Sequence, residues 1–118
     1  MIKTITKLDF LKSLKQGGYR IYILSNLSYE SYECVSKFNF FKLIDGGIYS
    51  YRLNVCKPDR KIYDALFSNY NINPKQTIFI DDNEDNINMA IKLGINGVVF
   101  DNLEDVKKKV ESIINNNG

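Results

Sequence analysis

Thr77-Ile-Phe-Ile-Asp-Asp-Asn-Glu-Asp-Asn86 is an apolar run that ends in acids and passes into a helical pattern. Ile78 to Ile80 reads as a buried strand, with Asp81 and Asp82 at its C-terminal end. In a parallel α/β sheet that end is where ligands bind. Two adjacent carboxylates on a strand-to-helix turn repel each other unless a cation or a proton intervenes. Mg²⁺ suits such an all-oxygen site, because it takes one or two carboxylates and leaves positions for water and phosphate. An Asp-Asp-Asn cluster after a strand is also what an ordinary helix N-cap looks like, and the residues alone leave both readings open.

Working outward, the chain alternates between helical and strand patterns. Ile5, Leu8, Leu11 and Leu14 recur at helical spacing, and Gly17-Gly18 closes that helix. A strand is expected from Tyr19 to Leu24 and a helix from Tyr29 to about Phe38, with Ser28 as its cap. Phe40 to Leu43 is expected to pack inward. Gly46-Gly47 then turns the chain into a short strand, Ile48 to Tyr51. Pro58 suits the first turn of a helix whose buried face is Ile62, Ala65, Leu66 and Tyr70. After the strand ending at Ile80, Asn83 or Asp82 opens a helix with Ile87, Ala90 and Ile91 inward, ended by Gly94. Gly97 to Phe100 is the last strand, and Leu103, Val106, Val110 and Ile113 mark a terminal amphipathic helix. Such alternation predicts an α/β fold with a parallel sheet and right-handed crossovers. One domain is expected over residues 1–114, with 115–118 as a disordered tail.

Two further segments give the acid pair a context. Arg20-Ile-Tyr-Ile-Leu-Ser-Asn26 is a strand ending in a hydroxyl and a small amide, and Val55-Cys-Lys-Pro-Asp-Arg-Lys-Ile-Tyr63 puts Lys57 just ahead of a proline-led helix. With these in order, the chain resembles the haloacid dehalogenase (HAD) superfamily of Mg²⁺-dependent phosphohydrolases. The family's second motif matches Leu24 to Asn26 with Ser25 in the key position. Its third matches Lys57 to Tyr63, and its fourth matches Asp81 and Asp82. The likeness spans about residues 8 to 101 and is strongest to the sugar-phosphate phosphatase branch typified by α-D-glucose-1-phosphate phosphatase.

The resemblance implies a three-layer Rossmann-like core and a role for each matched residue. Ser25 hydrogen-bonds the transferred phosphoryl group with help from the backbone N–H of Asn26. Lys57 neutralises phosphate charge and holds the nucleophile's carboxylate. Asp82 is the preferred Mg²⁺ ligand, Asp81 a supporting or alternate one, and Asn86 orients the pair by hydrogen bonding. Each has a plainer alternative: Ser25 a turn residue, Lys57 a surface charge, Asn86 a local backbone bonder.

The family's first motif, Asp-x-Asp-x-Thr/Val with the attacking aspartate in front, has no counterpart. Asp9 lies in a helical stretch, and Asp82 with Asp85 has the wrong spacing. The expected fold is therefore a truncated core without its first strand and cap. The family places that strand between the ones ending at Ser25 and Asp81. Strands lie about 4.8 Å apart, so its loss opens a gap of roughly 9.6 Å. Direct pairing of the two flanking strands is the expected remedy; a strand from another polypeptide or a loose, aggregation-prone fold are the others.

Composition narrows the rest. The 118 residues are 44% hydrophobic and 25% charged, as in globular proteins, and a net charge of +2 gives no basis for nucleic-acid binding. The chain has no histidine, which excludes His-based nucleophile schemes and His metal sites. Lys107-Lys-Lys109 falls within a helical pattern and reads as a solvated face. Cys34 and Cys56 sit at no metal-ligand spacing and suggest reduced thiols in a cytoplasmic protein; no stretch suits a signal region or a bilayer span.

The expected activity is that of a HAD-like phosphatase by descent, inactive alone, with a weak or incomplete Mg²⁺ site. Its partners would be a small phosphorylated metabolite and a complementing N-terminal half or a second copy of the chain. The alternatives are one half of a split phosphatase and a non-catalytic module binding Mg²⁺ or a phosphorylated ligand. A phospho-acceptor receiver domain fits poorly, since its acid pair follows the first strand and its lysine the last.

Overall fold

Two pairs of parallel strands carry the acidic and hydroxyl-bearing strand ends. The protein is represented by a computed structural model that describes residues 7–26, 28–35 and 42–117. These form two compact units, Met1–Leu66 and Phe67–Gly118, where the sequence suggested one core domain. Helix α4, Arg60–Tyr70, runs across the boundary.

In the first unit, helix α1 (Lys7–Gln16) is closed by Gly18 at φ 89°, where the Tyr19 N–H donates to the Leu14 carbonyl. Glycine adopts that conformation without the Cβ clash other residues meet. Strand β1 (Tyr22–Ser25) begins three residues later than expected. The lead-in is held instead by Asp45: its carboxylate accepts from the Ile21 N–H at 2.7 Å, and its own N–H donates to the Ile21 carbonyl at 2.7 Å. Lys15 Nζ donates to both Asp45 oxygens at 2.8 Å, and this bond is the main cause that holds the carboxyl below its usual range.

Helix α2 is Tyr29–Val35, and β2 is Gly46–Tyr49, parallel to β1 with Leu24 opposite Ile48 and Ser25 opposite Tyr49. β2 ends two residues early because Ser50–Leu53 coil into helix α3. The ring of Tyr49 lies where a side chain on Gly47 would stand, so that close approach requires glycine. Tyr51 stacks on Tyr49 (6.3 Å, 22°) and meets Tyr29 edge-on (5.7 Å, 76°), and the Arg52 guanidinium lies 5.2–5.3 Å from the Tyr49 and Tyr51 ring centres. Apolar periodicity gave no sign of this cluster. Among the described residues of the unit, Phe10, Leu24, Ile48, Tyr49, Ile62, Tyr63 and Leu66 are buried, together with the polar Ser50. Tyr63, expected only as a motif residue, is fully buried, whereas Ala65 is half-buried. Of the segment Phe40 to Leu43, Phe40 and Phe41 lie outside the described residues, as does Phe38, and Leu43 is half-buried.

In the second unit, Pro74–Gln76 form a 3₁₀ turn whose Asn73 side chain accepts from the Lys75 N–H, and strand β3 follows at Ile78–Asp81. It pairs in parallel with β4 (Asn96–Val99), Asp81 opposite Val99, and the ladder continues as the Phe100 N–H donates to the Asp81 carbonyl. Helix α5 (Glu84–Lys92) packs across both strands and α6 (Leu103–Asn117) against β4. Ile87, Ala90, Ile95, Val98, Val106 and Val110 are buried.

Several expectations are corrected here. Ile78 and Phe79 are half-buried and Ile80 is 36% exposed, so β3 is not a strand buried on both faces. Ile91 is 54% exposed although it sits on the apolar side of α5. Residues 115–117, expected as a frayed tail, continue α6. Within the first unit β1 pairs with β2, and within the second β3 pairs with β4. Each strand bonds the next one in the chain, and short loops close at lower entropic cost than long ones.

Candidate functional site

Ser25 is the last residue of β1, half-buried, at the C-terminal end of a parallel pair. The next residue, Asn26, turns its side chain onto the main chain of Lys57. Its Oδ1 accepts from the Lys57 N–H at 2.8 Å, and its Nδ2 donates to the Lys57 carbonyl at 3.3 Å. One amide thus holds both backbone polar groups of a residue 31 positions away, the way a neighbouring strand would. Lys57 is half-buried and precedes Pro58 through a cis peptide bond. The structure brings Ser25, Asn26 and Lys57 together through this contact. From sequence only the backbone N–H of Asn26 was assigned a part. The small amide directly after a strand was the available signal for its side chain.

The acid pair is organised by asparagines as well. Asp81 closes β3, half-buried, and its Oδ1 accepts from the Asn83 N–H at 2.9 Å. Its Oδ2 accepts from Nδ2 of Asn86 at 3.2 Å. Asn86 is buried on the first turn of α5, and this bond is how a polar side chain is tolerated there. Asn83 caps α5, its Oδ1 accepting from the N–H groups of Asp85 (2.8 Å) and Asn86 (3.4 Å). The Asp-Asp-Asn cluster thus does supply the helix cap, as its plainer reading expected, through Asn83, while Asp82 is exposed. Asn86 thus bonds directly to Asp81.

Whether these residues suit Mg²⁺ is a question of donors. Asp82 presents an exposed carboxylate, and Asp81 beside it is already oriented by two donors. Two adjacent carboxylates, one of them exposed, fit the ion's preference for oxygen donors. Among the described residues no three His, Cys, Asp or Glu side chains converge. Cys34 and Cys56 are free and exposed. No helix among the described residues is long and apolar enough to cross a membrane.

A profile of haloacid dehalogenase-like hydrolases matches residues 6–94. The chain belongs to this family. Among its relatives, D-ribitol-5-phosphate phosphatase of Bacteroides thetaiotaomicron is 28% identical over 118 residues, covering 94% of this chain and 57% of that protein. Drimenol cyclase drtB of Aspergillus calidoustus is 30% identical over 108 residues, 88% of this chain and 20% of the other. The crystal structure of a HAD family enzyme from Bacteroides thetaiotaomicron in complex with magnesium and inorganic phosphate superposes with a TM-score of 0.76 at 30% identity, over 85% of this chain and 55% of that one. This haloacid dehalogenase-like chain thus spans a little over half of the phosphatase and a fifth of the cyclase.

Proposed function

We propose that this chain is the phosphate- and metal-holding part of a Mg²⁺-dependent phosphate-monoester phosphatase of the sugar-phosphate branch, and that it does not turn substrate over alone. The observation that carries the reading is the Asn26 clasp on Lys57, which fixes a lysine backbone beside the strand end bearing Ser25. The Ser25 hydroxyl and the Asn26 N–H donate to phosphoryl oxygens, and the Lys57 ammonium offsets their charge. Phosphoryl transfer rests largely on such positioning and charge stabilisation. Asp82 holds Mg²⁺ with Asp81 in support and Asn86 setting the Asp81 rotamer. When bound, the ion would supply positive charge to anionic oxygens. The magnesium and phosphate in the Bacteroides enzyme, and the phosphatase among the relatives, support this reading.

Hydrolysis also needs a carboxylate to attack phosphorus, and no Asp-x-Asp-x-Thr/Val motif is present to provide it. The test is the full chain with p-nitrophenyl phosphate and Mg²⁺. No hydrolysis is expected, and Lys57→Ala changes nothing measurable. Adding a polypeptide that carries the Asp-x-Asp-x-Thr/Val strand is expected to produce turnover that requires Lys57. Turnover by the chain alone, abolished in Lys57→Ala, would show that another nucleophile exists. Mixing that yields no turnover leaves the non-catalytic reading, a module that binds a phosphorylated ligand or Mg²⁺.

A further inference from the structure

We infer that the side chain of Asn26 is a positioning residue, one that sets the phosphate affinity of the site through Lys57 without itself touching phosphate. This rests on the phosphate-binding reading of Ser25 and Lys57 and adds the device that sets their relation. A lysine side chain has four rotatable bonds and a mobile charge, so its use at a site depends on how firmly its Cα is held. Lys57 is followed by proline, which has no N–H to anchor the next position to a neighbour. The two main-chain groups of Lys57 are instead bound by one carboxamide, in opposite hydrogen-bond directions.

Only an amide can do this. An aspartate at 26 could still accept from the Lys57 N–H, but its second oxygen would face the Lys57 carbonyl, acceptor against acceptor. Asn26 is also adjacent in sequence to Ser25, so the clasp ties the lysine's Cα to the hydroxyl's own strand end with one residue between them. The side-chain amide is occupied by Lys57, and the phosphate-facing contribution of residue 26 falls to its backbone N–H.

The experiment is a double-mutant cycle on the full chain, with inorganic phosphate as the probe and its dissociation constant read by ³¹P NMR, alongside thermal melting. Asn26→Ala is expected to weaken phosphate binding about tenfold, the scale of losing a pair of such bonds. Asn26→Asp is expected to weaken it at least as much despite equal size. In the Lys57→Ala background, Asn26→Ala is expected to leave phosphate affinity unchanged while still lowering the melting temperature. Stability losses then persist where affinity losses vanish, which separates positioning from a merely structural role. If phosphate binds, depends on Lys57 and is indifferent to Asn26→Ala, the inference is wrong and the phosphate reading stands. Equal losses on Asn26→Ala with and without Lys57 also overturn it. If the wild-type chain binds no phosphate and Lys57→Ala changes no spectrum, both the inference and the phosphate reading fall together.

Discussion

The buried side-chain amide of Asn86 donates to Oδ2 of Asp81 across 3.2 Å, while the backbone N–H of Asn83 holds Oδ1 of the same carboxylate at 2.9 Å. Both oxygens of Asp81 are therefore set before any ligand arrives, and the neighbouring Asp82 carries the exposed carboxylate.

Removing the amide takes one donor away from Oδ2 of half-buried Asp81. Asn86→Ala is expected to cost about 1–3 kcal/mol, lowering the melting temperature by about 4 °C for each kcal/mol in a chain of this size. Asn86→Asp is expected to be worse, because it sets carboxylate against carboxylate. A melting temperature unchanged in Asn86→Ala would show that the bond carries no net stability.

Mg²⁺ titrated into the wild-type chain is expected to raise the melting temperature only weakly, since the protein offers two carboxylates and no third converges among the described residues. The small rise should disappear in Asp82→Asn. A large shift that Asp82→Asn abolishes would mean that the metal site is complete.

The Lys15–Asp45 pair predicts an acid limit in the first unit. Lys15 and the Ile21 N–H favour ionised Asp45, so its folded pKa lies below the unfolded one. A depressed carboxyl contributes fully above the unfolded value of about 4, and its contribution is lost as pH falls through the folded value. Chemical denaturation of wild type and Asp45→Ala should show a stability gap that is constant from about pH 5 to 7 and shrinks below about 4. Salt should narrow the gap, since the pair is about a third exposed. A gap that widens in acid would contradict the assignment.

Gly97 sits under α5, where a Cβ would stand 2.8 Å from Cγ2 of Ile87 and 3.0 Å from Cγ1 of Ile91. Ile87 is buried and cannot swing away, whereas Ile91 is exposed and can. Gly97→Ala is expected to destabilise the chain by about 1–3 kcal/mol through overpacking. Ile87→Ala, which removes Cγ2, should therefore cost less in the Gly97→Ala background than in the wild type in a denaturation experiment, and strictly additive losses would place the clash elsewhere.

The local parts of this protein could be read directly from the chain. The helix-ending glycines, the strand ends at Ser25 and Asp81, the cap at Asn83 and the periodic faces of α5 and α6 each depend on residues within a few positions of one another. The three motif segments identified the family for the same reason. Their chemistry is written in contiguous stretches, which a profile over residues 6–94 also detects.

Other features depended on where distant segments meet. Asn26 and Lys57 are 31 residues apart, and nothing in either segment announces that the amide of one will hold the backbone of the other. The separate pairing of β1 with β2 and β3 with β4, the tyrosine and arginine cluster over Gly47, and the exposure of Ile80 are of the same kind. Sequence fixes which groups a segment carries and which way they alternate. Hydrogen-bond partners and cover are set by competition among all segments for the same neighbours, and that competition is decided only in the folded chain.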